Sequence, residues 1–248
     1  MTFIKSLTTL IFDLDGTLCR YKTDLGEALM ETFSIDRPED LPLTPEDYEE
    51  GFGVEFDKAI DGEVEYPDLE FRTRIFHNHL KGNGYREDQI MDLGGRFAKI
   101  REDSLALYED AAEVFASISG KFKIGLLTNG PSNLQRRKID ALGIEDWFDG
   151  ITVSGEHDLA KPDPRIFEIA MENLNCAPEE TVYIGNSLKY DVLGANNAEI
   201  PVIWKKSGED GTEVEEARPD LVIDELRELL NGNVTSTLSG GEKRGIKS

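Results

Sequence analysis

The chain has 248 residues, with 50 Asp and Glu against 27 Lys and Arg, a formal charge of −23 at pH 7. Such a length can bury a large core, or a core and a smaller second domain, and so negative a surface argues against nucleic acid and anionic membrane as partners. A hydrophobic content of 39% argues against wholesale disorder, and the acid excess leads us to expect a halophilic setting in which salt screens self-repulsion.

Cys19 and Cys176 lie far apart and without metal-like spacing, so neither a disulfide framework nor a zinc site is indicated. Asp13 and Asp15 interrupt the first apolar run before a signal-peptide core could form, and no stretch approaches the ~18 apolar residues of a membrane span. A cytoplasmic protein, monomer or homodimer, is expected.

In chain order, a buried strand is predicted from Thr8 to Phe12, ending in Asp13-Leu14-Asp15-Gly16-Thr17. Helices follow over Leu25 to Phe33, Pro45 to Ile60, Leu69 to Leu80 and Glu87 to Ile100, although Gly51, Gly53, Gly94 and Gly95 work against two of them. Strand and helix then alternate: helix Ala111 to Ile118, strand Lys123 to Leu127, helix Ser132 to Leu142 closed by Gly143, and strand Ile151 to Val153. Helix Pro164 to Leu174, strand Thr181 to Ile184, helix Asp191 to Ala198, strands Pro201 to Trp204 and Leu221 to Ile223, and helix Glu225 to Leu230 complete the pattern.

This alternation predicts an α/β fold, a Rossmann-like parallel sheet flanked by helices, with a small α-helical cap. The core is assigned to residues 1–19 and 106–231, the helical cap to 20–105 and a disordered tail to 232–248, which is rich in Gly, Ser, Thr and Lys. Ligands of open parallel sheets bind beyond the carboxyl ends of the strands, so Asp13, Thr128 and Asn186 should face one crevice under the cap.

Four segments stand around that crevice: Leu10 to Leu18 with Asp13 and Asp15, Leu126-Leu127-Thr128-Asn129-Gly130, Lys161-Pro162-Asp163-Pro164, and Tyr183 to Asp191 with Gly185 and Asn186. In this order they resemble the four motifs of the haloacid dehalogenase superfamily, whose members are mostly Mg²⁺-dependent phosphatases working through an aspartyl-phosphate. The resemblance implies a phosphomonoester hydrolase for a small phosphorylated metabolite, with Asp13 as nucleophile and Asp15 as acid and base. It further implies that Thr128, Asn129, Gly130 and Lys161 bind phosphate, and that Mg²⁺ sits among Asp13, Asp15, Asn186 and Asp191.

Asn186 departs from the family pattern, which has an acid there; an amide oxygen ligates a hard cation without bringing charge, so weaker Mg²⁺ binding is expected. The same attacking Asp serves 2-haloacid dehalogenases, which need no acid two residues later, and a weakly catalytic binding or regulatory relative is the other alternative. Thr128-Asn129-Gly130 with Gln135 and Lys138 is similar to a nucleotidase and acyl-sugar phosphatase branch. His77 and His79 in the cap point apart on a helix and are read as packing or surface residues. Arg20, Lys22, Arg72 and Arg74 are candidates for a substrate anion only if they face the crevice.

Overall fold

The computed structural model describes residues 7–60, 71–207 and 214–231. Six strands form an all-parallel sheet: β1 (Thr9–Phe12), β4 (Lys123–Thr128), β5 (Gly150–Val153), β6 (Thr181–Gly185), β7 (Val202–Lys205) and β8 (Leu221–Ile223), in the spatial order β5-β4-β1-β6-β7-β8. β1 lies between β4 and β6, with Phe12 opposite both Leu126 and Ile184. The strand order reverses here, so the loops after β1, β4 and β6 open side by side.

Alternate strand residues face opposite layers. Phe12, Leu126 and Ile184 pack with Val114 and Phe115 of α5 (Ala111–Ile118) and Ile139 of α6 (Ser132–Leu142), the helix closed by Gly143. Ile11, Leu127, Tyr183 and Val202 pack with Ile166, Phe167 and Ala170 of α7 (Pro164–Leu174). Asp163 starts α7 by accepting from the Arg165 amide, with Pro164 in its first turn, where a missing N–H costs nothing.

Residues 25–104 contribute α1 (Leu25–Phe33), α2 (Pro45–Ile60), α3 (Phe71–Leu80) and α4 (Glu87–Ser104). They share an apolar cluster of their own, with Phe76 and Phe97 rings 5.2 Å apart and Tyr48 4.9 Å from Phe97. Each fully buried phenylalanine there is worth about 1.5–3 kcal/mol in transfer free energy. Leu134 of α6 belongs to this cluster, joining it to the sheet layer. Two of the four glycines that argued against these helices instead permit close packing, while Gly53 and Gly95 face open space. A Cβ on Gly94 of α4 would lie 2.6 Å from Thr73 Cγ2, and one on Gly51 of α2 would lie 2.8 Å from Ile75 Cγ2.

Several local expectations change. The polypeptide crosses into and out of the helical segment through an unpredicted antiparallel ribbon, β2 (Cys19–Tyr21) and β3 (Leu105–Leu107), in which Arg20 pairs with Ala106. Three residues per strand are too few to show a period. The helix predicted over Asp191 to Ala198 is a wide π turn at Leu188–Val192 followed by α8 (Leu193–Asn197). It starts early because Ser187 Oγ accepts from the Tyr190 amide and Asp191 Oδ2 from the Ser187 amide. Glu225 to Leu230 is a 3₁₀ turn at Leu226–Leu230, and α4 runs four residues past Ile100 through a polar end that hid it. Leu69 and the predicted tail 232–248 lie outside the described residues.

Candidate active site

β1 delivers Asp13 one residue past its end, and the Asp13 amide still donates to Ile184 O at 2.9 Å. The chain then turns at Gly16, whose φ is +77°; a Cβ there would stand 2.3 Å from Asn186 Nδ2. Both the left-handed backbone and the approach of Asn186 require glycine. The turn brings Thr17 back, its hydroxyl 3.3 Å from Asp13 Oδ2 and 3.4 Å from Asn186 Oδ1. These oxygens therefore face one small space. The Asn186 carbonyl accepts from Trp204 Nε1 at 2.7 Å, fixing the loop after β6 against β7.

Lys161 arrives from the opposite side. Its backbone N–H donates to Asn129 Oδ1 and its carbonyl accepts from Asn129 Nδ2, both at 3.0 Å, so the Asn129 side chain ties the loop after β4 to the lysine loop. The buried ammonium reaches Asp13 Oδ1 at 2.7 Å, Asp191 Oδ1 at 2.6 Å and the Tyr183 hydroxyl at 2.9 Å. Burial works to lower the Lys161 pKa, but the two carboxylates outweigh it and hold the amine protonated. One ammonium thus serves two buried carboxylates. Burial and Asp191 push the Asp13 carboxyl up to about 7 against the pull of Lys161. Asp191 stands behind Asp13, with Oδ1 held by Lys161 and Tyr183 and Oδ2 by the Ser187 amide at 2.8 Å.

Asp15 points away from this ammonium toward α6. Lys138 Nζ lies 2.7 Å from Asp15 Oδ2 and Gln135 Nε2 2.9 Å from it; the same Gln135 nitrogen is 2.5 Å from Thr128 Oγ1. Burial tends to raise the Asp15 pKa, yet Lys138, Gln135 and Arg72 prevail and keep the carboxyl below its ordinary value. The structure therefore brings Asp13, Asp15, Thr128, Asn129, Gly130, Lys161, Asn186 and Asp191 to the carboxyl ends of three adjacent strands. The Gly130 amide donates to Ser154 Oγ at 2.9 Å.

His77 and His79 lie elsewhere, His77 on Glu87 at 3.1 Å and His79 on the Pro42 carbonyl at 3.1 Å. Thr17, Tyr183 and Tyr21 were not singled out from sequence. A tyrosine in an aliphatic buried strand is the one signal that could have found Tyr183, since its hydroxyl needs a partner there.

No group of three His, Cys, Asp or Glu side chains suited to a metal occurs among the described residues. The donors at hand are instead mixed: Asp13 Oδ2, held among the described residues by the long contact to Thr17, and the amide oxygen Asn186 Oδ1. Hard oxygens beside a surplus of buried negative charge fit a hydrated divalent cation such as Mg²⁺. No helix of the described residues is long and apolar enough to cross a membrane.

The chain is similar to a phosphoserine phosphatase of Thermus thermophilus, 34% identical over 161 residues, which are 64% of this chain and 64% of that one. It thus spans less than two thirds of that relative's length. A pyrophosphatase PpaX of Listeria monocytogenes is 27% identical over 90% of this chain and 95% of its own. Among solved structures, the HAD hydrolase YfnB of Bacillus subtilis, bound to magnesium and described as revealing interdomain movement, superposes with a TM-score of 0.64 at 25% identity, over 91% of this chain and 97% of that one. The model of the haloacid dehalogenase-like hydrolases matches residues 7–199, so with its parallel sheet and its site at the ends of β1, β4 and β6 this chain belongs to that family.

Proposed function

We propose that the chain is a Mg²⁺-dependent phosphomonoester hydrolase of a small phosphorylated metabolite, working through an aspartyl-phosphate on Asp13. The observation that carries this reading is the division of Asp13: one oxygen is neutralised by Lys161, and the other faces Asn186 across Thr17. Phosphatase relatives and a magnesium-bound family structure support it.

An Asp13 oxygen bonds to phosphorus as the ester P–O bond breaks, and the leaving oxygen takes a proton from Asp15. Asp15 then takes a proton from water, whose oxygen bonds to phosphorus as the Asp13–phosphorus bond breaks, releasing inorganic phosphate. Asp15 is paired with Lys138 here, so it must be relieved of that ammonium before it can carry a proton. An arriving phosphate, itself anionic, competes for Lys138. Thr128 and the amides of Asn129 and Gly130 bind the phosphoryl group once Gln135 and Ser154 yield, and Lys161 keeps Asp13 aimed. Bound Mg²⁺ would neutralise phosphoryl charge beside Asp13. Asn186 and the Asp15 carbonyl would hold it in company with Asp13, whereas the Asp191 oxygens are spent on Lys161, Tyr183 and Ser187.

Residues 20–105 act as the cap over this crevice, and the acidic surface suits a salt-rich cytoplasm. Asp15 disfavours the haloacid dehalogenase alternative, which has no leaving oxygen to protonate.

Phosphate release from a panel of phosphorylated metabolites, with and without Mg²⁺ in molar KCl, tests the reading. Asp13→Asn is expected to lose turnover on the order of a thousandfold or more. Undiminished turnover in that variant, or no release from any ester by folded wild type, would overturn it.

A further inference from the structure

Arg72 of α3 is 93% buried by its 7% exposure, yet makes no ion pair with any described residue. Its guanidinium donates one hydrogen bond, to the Tyr21 hydroxyl, and lies 5.3 Å from the centroid of the Tyr21 ring. Arginine does not shed its charge on burial, and the anion that acts on it, Asp15, does so without a direct hydrogen bond, which leaves guanidinium donors for another acceptor. The Tyr21 O–H in turn has no acceptor among the described residues.

The site is continuous with the reacting carboxylates. Lys138 Nζ is 5.8 Å from the centroid of the same Tyr21 ring and 2.7 Å from Asp15. Tyr21 therefore spans from the Asp15 ion pair to Arg72. Both groups line a pocket between α4 and α6 whose other walls include Ala98, Leu105 and Leu134. Glu102, Arg137 and Lys138 line it as well, so three cationic side chains and one carboxylate share the pocket with its apolar walls.

We infer that Arg72 and the Tyr21 hydroxyl form a second anion subsite, so that the substrate is a phosphomonoester bearing a further acidic group, a carboxylate or a second phosphate, at its far end. This rests on the phosphomonoesterase reading. The ester phosphate would sit by Asp13 and Lys161, and the distal anion would take the open N–H donors of Arg72 and the Tyr21 proton. Arg72 also helps hold the Asp15 carboxyl below its ordinary value, so the subsite is read from the difference between substrates and not from a loss common to all of them.

Two measurements test this. In the first, wild type and Arg72→Met are compared on phosphoglycolate, a sugar bisphosphate and p-nitrophenyl phosphate. Loss of kcat/KM on the acidic substrates is expected to reach about 30- to 100-fold and to be at least about tenfold smaller on p-nitrophenyl phosphate, with Arg72→Lys recovering part of it. Preference of wild type between the first two substrates distinguishes carboxylate from phosphate. In the second, calorimetry follows phosphoglycolate and the sugar bisphosphate binding to Asp13→Asn and to Asp13→Asn with Arg72→Met. A fall of about tenfold or more in affinity for at least one is expected, and needs no turnover. Equal affinities for both ligands, or equal losses on all three substrates, overturn the subsite. Failure to hydrolyse any of these esters while Arg72-dependent binding persists overturns only the phosphatase reading.

Discussion

At Asn186 an amide oxygen faces Asp13 Oδ2 across the Thr17 hydroxyl, with contacts of 3.3 and 3.4 Å that leave both oxygens weakly engaged. Restoring a charge at this position adds a hard anionic donor without changing the side-chain length. Asn186→Asp is therefore expected to tighten Mg²⁺ binding by about tenfold, read by calorimetric titration, and unchanged affinity would remove Asn186 from the ligand set. Proton competition gives a second expectation. The Asp13 carboxyl rises from an ordinary 3.8 to about 7 in the fold, so between those values the native state holds a proton that the unfolded chain has lost. Its stabilisation is full below 3.8 and is lost as pH rises through about 7. A cation that needs the ionised carboxylate gains as the proton leaves. The rise in melting temperature on adding Mg²⁺ should be small near about pH 5.5 and larger near about pH 8, and a pH-independent rise would contradict Asp13 as a ligand.

Among the elements, α4 shows how two adjacent glycines carry opposite consequences. Gly94 faces α3, where a Cβ would meet Thr73 Cγ2 at 2.6 Å and the Thr73 Cα at 2.9 Å, whereas nothing lies within 4 Å of a Cβ on Gly95. Gly95→Ala is expected to raise stability by about 0.5–1 kcal/mol, because alanine restricts the unfolded chain and favours helix. Gly94→Ala gains the same propensity but forces α3 and α4 apart, and is expected to lower stability by about 1–3 kcal/mol, the usual cost of overpacking. Denaturant midpoints of the two variants decide it, and a stabilised Gly94→Ala would show the helix pair to be compliant. The ribbon of β2 and β3 matters at this scale too: it places Tyr21 beside Arg101, whose guanidinium carbon is 3.7 Å from the ring centroid.

Over the whole molecule the charge of −23 sets the dominant long-range term. The described surface pairs are short-range and exposed, as in Lys99 with Asp103 at 3.0 Å and Arg86 with Asp88 at 2.9 Å, and such pairs contribute little each. They do not offset the excess of acid. Raising KCl from about 0.1 M to about 2 M shortens the screening length from about 10 Å to less than 3 Å, and the melting temperature is expected to climb with it. Indifference to salt would leave the composition as that of an ordinary acidic protein.

The alternation of short apolar runs with amphipathic helices was enough to determine the parallel sheet, because a strand buried on both faces has a sequence unlike anything else in the chain. It also determined which loops meet: the strands that lead to Asp13, Thr128 and Asn186 open on one edge where the sheet order reverses. Partnership among the side chains was a matter of three dimensions. That Asn129 clasps the Lys161 backbone, that Asp191 shares the Lys161 ammonium while Asp15 turns to Lys138, and that Arg72 lies buried over Tyr21 all join residues between 30 and 123 positions apart, beyond the reach of any local period. Nor could periodicity find the three-residue strands β2 and β3 or the early π turn at Leu188, where side-chain hydrogen bonds to the backbone overrode helix pattern. Sequence decided which chemistry gathers at the sheet edge, and tertiary packing decided which carboxylate each cation neutralises, since charge pairing depends on distance and burial rather than on order along the chain.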